Sequence, residues 1–329
     1  MIGSMISGFI SRAVVQGIPL LYGSCGEILT EKSGHLNLGI PGVMYVGAMG
    51  GVIGAFTYET KATEFHGGMA ILITLLCSIL GSLLMGLIYC FLTITLRANQ
   101  NVAGLALTTF GVGFGNFFGG SLIKLTDADV PSITVTKTSE VFARKLSIGG
   151  MPEVLSYGFL AYLAVVLAVI MAVVLRKTRV GLHLRAVGEN PATADAAGIN
   201  VNRYKYIATC LGSIIAGFGG LYYIMDYASG VWSNNGFGDR GWLAIARVIF
   251  VIWRPALAIG GSILFGGLCV CHFYFAQIES LHISMATQEL IKMTPYAVTI
   301  VILILISTRR KKETQPPAHL GLPYFREER

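Results

Sequence analysis

Read for the alternation of apolar and polar positions, the chain is a series of long apolar runs separated by short polar breaks. The runs fall at 6–28, 37–57, 68–96, 101–123, 153–175, 206–229, 238–254, 256–277 and 289–307, most of them near the roughly 20 residues a helix needs to cross a bilayer. None shows the alternating ten-residue pattern of a transmembrane barrel. The pattern predicts an all-α polytopic membrane protein with eight to ten spanning helices. Two runs, 37–57 and 238–254, are the least regular and are expected to be broken or partly re-entrant.

The first of these belongs to the stretch EKSGHLNLGIPGVMYVGAMGG, Glu31 to Gly51. Glu31 to His35 reads as a turn on the cytoplasmic side, and Asn37 is placed to cap the helix that follows. Pro41 stands in an early turn of that helix, where a missing N–H is tolerated. Small residues recur at four-residue spacing at Gly47 and Gly51, Gly50 and Gly54, Gly111, Gly115 and Gly119, and Ala216 and Gly220. In membranes this spacing marks faces where helices approach closely.

Composition strengthens the membrane reading: 54% of the 329 residues are hydrophobic, 12% are charged and the mean hydropathy is +0.68, outside the range of ordinary soluble domains. The net charge of +7 does not point to nucleic acid, because the basic residues sit in blocks at the ends of apolar runs, where topology explains them. Of the 24 Lys and Arg residues, fifteen fall in one set of alternating loops and five (Lys61, Lys124, Lys137, Arg144 and Lys145) in the other; four lie in or beside helices. The richer set holds Lys32, Arg97, the 176–205 cluster, Arg254 and the tail from Arg309 to Arg329, and is placed in the cytoplasm. The first run has Arg12 inside it and reads as a retained helix rather than a leader. All six Cys lie in or beside apolar runs and read as packing residues.

The interior loops are short, so the chain is expected to be a single transmembrane domain, 1–329, with a cytoplasmic loop at 176–205 and a basic cytoplasmic tail at 308–329. No phosphate-binding G-x-x-x-x-G-K-[ST] loop, HExxH or GxSxG occurs, so no enzyme is expected in this chain. Cys269-Val270-Cys271-His272 looks like a metal fragment, but it lacks a second ligand pair and lies in an apolar run. Within the 176–205 loop, Asn190-Pro191 is a helix-start signal and Gly198 a stop for a helix of barely two turns. Such a short, Ala-rich helix is either a solvated linker or a peg that another protein approaches closely.

Four separated stretches, EKSGHLNLGIPGVMYVGAMGG, GLHLRAVGENPATADAAGINVNRYK, IWRPALAIGGSILFG and LGLPYFREER, together resemble permease subunits of bacterial ATP-binding-cassette importers for nucleosides and simple sugars. The nucleoside branch is the closer match, and the resemblance runs from Gly23 to Arg329. It implies a multi-pass protein of the bacterial inner membrane. It also implies that the cytoplasmic loop couples to the ATPase through Glu189, Asn190, Pro191, Ala194, Ala197 and Gly198. The implied partners are a cytoplasmic ATP-binding subunit, which supplies ATP and Mg²⁺ chemistry, a second and longer permease, and a substrate-binding lipoprotein; membrane lipid surrounds the assembly. No cofactor is expected in this chain. The resemblance breaks at Pro41, where that family commonly carries Glu, and at Val251-Ile252, commonly Gly-Arg or similar.

Candidates for the substrate path are Asn37, Asn116, Asn234, Asn235, Asp239 and Trp242. Carboxamides hydrogen-bond sugar hydroxyls in either sense, and an indole offers a flat apolar surface to a ring. Each also has a structural reading, Asn37 as a cap, Asn234 and Asn235 as a turn, and Trp242 as an interfacial anchor. The scarcity of charge within the runs argues for an uncharged solute. A simple-sugar permease of the ribose type is the alternative, and an ion-coupled secondary transporter a more distant one. For the latter, the few charges along or beside the runs, Arg12, Asp226, Arg247, Lys292, Glu27 and Asp239, would have to serve, and Arg247 could instead pair structurally with Asp239 or Asp226.

Overall fold

A computed structural model describes residues 2–125, 133–145, 155–276, 284–309 and 315–325. Parts of the 124–150 loop and of the basic tail, including Arg310, Lys311, Lys312, Arg326 and Arg329, lie outside the described residues. Among the described residues, eight segments are helical, long and apolar enough to cross a membrane. They are built on α1 (Ile2–Glu31), α2 (Ile40–Lys61), α3 (Gly67–Cys90), α4 (Gln100–Leu125), α6 (Phe159–Lys177), α9 (Val201–Tyr222), α11 (Pro255–Ala276) and the pair α12 (Met285–Lys292) and α13 (Thr294–Arg309). Shorter helices are α5 (Thr136–Phe142), α7 (Arg179–Glu189), α8 (Pro191–Ala196) and α10 (Arg240–Phe250). The chain is therefore an all-α polytopic membrane protein.

The expectation that 37–57 is broken is corrected: α2 is one continuous helix and the most enclosed span, with 78% of its apolar window buried. Pro41 falls in its first turn, so no interior hydrogen bond is lost. The glycines of this helix are contact points, as their four-residue spacing implies. A Cβ on Gly42 would fall 2.5 Å from the Leu107 carbonyl oxygen of α4, and one on Gly47 would fall 2.7 Å from the Cα of Gly217 on α9. The spacing of small residues thus sets how closely α2, α4 and α9 pack.

The 238–254 run does form the discontinuous element. Its helix, α10, has only eleven residues, rising about 16 Å, roughly half the hydrocarbon thickness. It is strongly two-faced, with Gly241, Leu243, Ala244, Arg247 and Val248 buried. Backbone in the left-handed region frames it on both sides, at Ser229 (φ 52°), Gly230 (78°), Asn235 (58°) and Gly238 (56°) before it and Ile252 (53°) and Trp253 (50°) after it. Ahead of it, strand β2 (Val231–Trp232) pairs antiparallel with β1 (Ile133–Thr134), Ile133 opposite Trp232. That small ribbon ties the 228–239 connection to the loop after α4.

The ends of the spans sort as the basic residues imply. The turn after α1, the α3–α4 turn, α7, α8 and the tail segment 315–325 meet on one face. Gln100 Oε1 accepts from Leu36 N (2.9 Å), His319 N donates to Gly188 O (3.0 Å), and Gly321 N donates to Gly34 O (3.3 Å). The 31–37 segment is not a solvated turn, however: Glu31, Ser33, His35 and Asn37 are all buried.

Candidate functional site

Two helices begin inside the bundle rather than at its surface. Gly42 of α2 lies against Gly111 of α4, where a Cβ on Gly111 would fall 2.5 Å from the Gly42 Cα. Gly111 stands eleven residues beyond the start of α4 at Gln100, about 16 Å along the helix, so α2 begins well along α4 rather than beside its first turn. The head of α10 meets it there, Gly241 against Pro41. The two helix starts thus converge, and helix N-termini meeting inside a bundle are an arrangement found at transport sites.

The connection into α10 is held by rings. Tyr45 of α2 lies edge-on to Trp232 (6.2 Å) and to Phe237 (5.5 Å), and Tyr223 lies edge-on to Phe237 (5.0 Å) while its hydroxyl donates to Gly236 O (2.6 Å). The guanidinium of Arg240 sits over the rings of Tyr223 (4.7 Å) and Tyr227 (5.3 Å) and donates to Phe237 O (3.0 Å). This cation is thus occupied in holding the connection. Tyr223 and Tyr227 stack within a π-helical turn that ends the sixth span, a local widening common at functional sites.

Of the sequence candidates, Asn116, Asn234 and Asn235 are brought together. Asn116 Nδ2 donates to Asn235 Oδ1 (2.8 Å) and Asn116 Oδ1 accepts from Asn235 N (3.1 Å), while Asn234 Oδ1 accepts from Trp232 Nε1 (3.4 Å). Asn234, Asn235, Asp239 and Trp242 are exposed and Asn116 is half-buried. Asn37 is not with them. It is fully buried, its N donates to Glu27 Oε1 (2.9 Å), and its Oδ1 accepts from Gly39 N (2.9 Å). It is also not the cap itself: Gly39 occupies that position, without a side-chain bond, and Asn37 shapes the turn before it. Tyr45, Tyr223, Phe237 and Arg240 are missed by sequence reasoning, although Tyr223 and Tyr227 at four-residue spacing were a readable sign of a ring pair.

Arg247 pairs with neither Asp226 nor Asp239. It is fully buried and its Nη2 donates to the Leu20 carbonyl of α1 (2.6 Å). Further connections run to α1 from α10 and from the turn after it: Ser24 Oγ donates to Ala244 O (3.0 Å), and Trp253 Nε1 donates to Glu31 Oε2.

The second group of candidates forms a compact knot on the basic face. Asn190 Oδ1 accepts from Thr193 N (3.0 Å), Pro191 occupies the first turn of α8, and Gly198 takes φ 81° to end it. Asn200 caps α9 in the same way, accepting from Arg203 N (3.0 Å). Glu189, Asn190, Ala197 and Gly198 are exposed, but Pro191 and Ala194 turn inward, Ala194 packing with Val187 and Val201. The tail braces the knot from below: Ala318 N donates to Glu189 Oε2 (3.3 Å) and Tyr324 Oη to Asp195 Oδ2 (2.9 Å), and Arg97 lies over the Phe325 ring (4.8 Å). Burial pulls His35 well below the ordinary histidine value, with the charges of Lys205 and His319 adding to the effect, and pulls His319 down in the same direction.

A family model described as branched-chain amino acid transport system / permease component matches residues 9–306. The chain is 29% identical to the guanosine ABC transporter permease protein NupQ of Bacillus subtilis, over 99% of this chain and 98% of that one. It is 28% identical to the nucleoside ABC transporter permease protein NupC of Lactococcus lactis, over 90% and 91%. It is also 29% identical to the putative glucose ABC transporter permease protein TsgC13 of Haloferax volcanii, over 80% and 76%.

Proposed function

The chain belongs to the branched-chain amino acid transport system / permease component family, and from that premise we propose that it is the membrane-spanning subunit of a nucleoside importer driven by a separate ATPase. The observation that carries the substrate reading is the cluster on the connection that leads into α10. Asn116, Asn234 and Asn235 offer uncharged donors and acceptors there, while the cation at the start of α10, Arg240, is engaged by two tyrosine rings. A neutral solute bearing hydroxyls and a flat base meets such a lining without stranding a charge. The two near-full-length relatives named for nucleosides and guanosine support the same choice.

The exposed rim of α8, with Glu189, Asn190, Ala197 and Gly198, is the surface we assign to the ATP-binding subunit, with Pro191 and Ala194 shaping it from inside. A substrate-binding lipoprotein would meet the opposite face, where α5 and the β1–β2 ribbon lie, and a second, longer permease would complete the path in the bacterial inner membrane. ATP closing the nucleotide-binding subunits would shift α7 and α8 and alternate the open side.

Uptake of radiolabelled guanosine, adenosine and glucose by cells expressing this permease together with its ATP-binding, second-permease and substrate-binding subunits tests the proposal. Guanosine or adenosine uptake that disappears with an ATPase-dead partner supports it. Uptake of glucose alone would favour the sugar reading that the Haloferax relative motivates. Uptake that survives ATPase loss but collapses with an uncoupler would assign the chain to ion-coupled transport.

A further inference from the structure

Beside the α7–α8 knot lies a cavity of about 360 Å³ that the transport reading leaves unused. It is enclosed by the last turns of α6, by α7, by the residue after α1 and by the α10–α11 connection. Four cations line it, Lys32, Arg176, Arg185 and Arg254, and no acidic residue is among its lining residues. Two carboxylates act on Lys32 from nearby, Glu189 and Glu31. The first accepts from Ala318 N and the second from Trp253 Nε1. Burial is the largest influence on Lys32 and leaves its ammonium below the ordinary lysine value.

The rest of the lining is apolar, including Leu175, Ile252, Trp253 and Leu257. Leu257 and, further down α6, Val173 and Val169 are exposed, so the flank of the cavity continues into a surface made for hydrocarbon. A pocket with cations at its cytoplasmic end and apolar side chains leading away from it into the membrane matches the two halves of an anionic lipid. Free phosphate would have no use for the apolar flank.

We propose that this cavity binds the headgroup phosphate of an anionic glycerophospholipid of the cytoplasmic leaflet. The lipid bridges α6 and α7 to the α10–α11 connection. That connection holds Ile252 and Trp253 at φ 53° and 50°, a conformation bulky residues rarely adopt without support. A bound headgroup would supply such support at the base of α10. The inference is independent of which solute is carried.

The test uses the assembled transporter in nanodiscs of phosphatidylcholine with and without phosphatidylglycerol. Native mass spectrometry should find phosphatidylglycerol retained in preference to phosphatidylcholine. Arg176→Gln and Arg254→Gln should each weaken that preference roughly fivefold, and Arg203→Gln, outside the cavity lining, should leave it intact. As a second readout on the unmutated protein, phosphatidylglycerol brominated near the headgroup should quench tryptophan fluorescence more than its phosphatidylcholine counterpart, and Trp253→Phe should remove the difference. Equal retention of both lipids, an unchanged preference in the cavity variants, or stabilisation of delipidated protein by inorganic phosphate as strong as that by phosphatidylglycerol would overturn the proposal.

Discussion

A Cβ on Gly241 would stand 2.6 Å from both the Cα and the Cβ of Pro41, so the heads of α10 and α2 touch with no room for a side chain between them. Because one partner is backbone, the contact cannot relax by a rotamer change. Gly241→Ala should force the two helix heads apart at a cost of about 1–3 kcal/mol. The expected outcome is a protein that inserts but transports poorly, read by substrate uptake alongside the melting temperature of the purified assembly. Wild-type uptake by this variant would show that the heads are not held in contact.

This junction also shows what the sequence made legible and what it did not. Span number and the sided distribution of charge follow from apolar run length and from Lys and Arg positions, because bilayer thickness and membrane potential act on every segment alike. The irregularity of α2 was misleading even though Gly47 and Gly51 were legible as points of close approach, because which helices they approach is a tertiary fact. Asn116 and Asn235 were each recognisable as polar residues in apolar surroundings. Their pairing across 119 positions depends on the path of the 228–239 connection, which no local pattern specifies. Ala194 and Ala197 look alike in sequence and differ only in which way a two-turn helix is rotated.

The reciprocal pair Asn116–Asn235 makes a graded prediction. Asn235 has φ 58°, which Asn and Gly adopt more readily than other residues. Asn235→Gly should lose only the side-chain bond, about 0.5–1.5 kcal/mol, whereas Asn235→Val also strains the backbone. Transport rates should therefore fall in the order wild type, Gly, Ala, Val, with Asn116→Ala close to Asn235→Ala. If Val were the mildest replacement, the left-handed turn would have no part in the path.

In α8 and at its C-terminal cap, two alanines separate docking from folding. Ala197 is exposed and Ala194 is 3% exposed, packed against Val187 and Val201. Ala197→Glu should abolish co-purification with the ATPase while leaving the melting temperature of the permease unchanged. Ala194→Glu buries a charge and should lower the melting temperature first. Retained ATPase association in Ala197→Glu, measured by affinity pull-down, would remove α8 as the docking surface.

The basic face carries a pH dependence that can be given a sign. His35 is buried, its Nε2 lies 3.1 Å from Thr93 Oγ1, its ring is edge-on to Tyr89, and its Nδ1 has no hydrogen-bond partner. Burial first, then the charges of Lys205 and His319, hold it well below the ordinary histidine value, and His319 is lowered in the same sense. A group whose folded pKa is depressed binds fewer protons in the native state than in the unfolded one, so stability rises with pH across that interval. The contribution is full above the ordinary value of about 6.5 and is lost as the pH falls below it towards the depressed folded value. The melting temperature of the purified assembly should therefore drop between about pH 7.5 and about pH 5.5. His35→Gln, which keeps a polar group near Thr93 and cannot titrate, should flatten most of that drop, and His319→Gln, at a less buried site, a smaller part. An undiminished drop in the double variant would place the acid sensitivity outside this face.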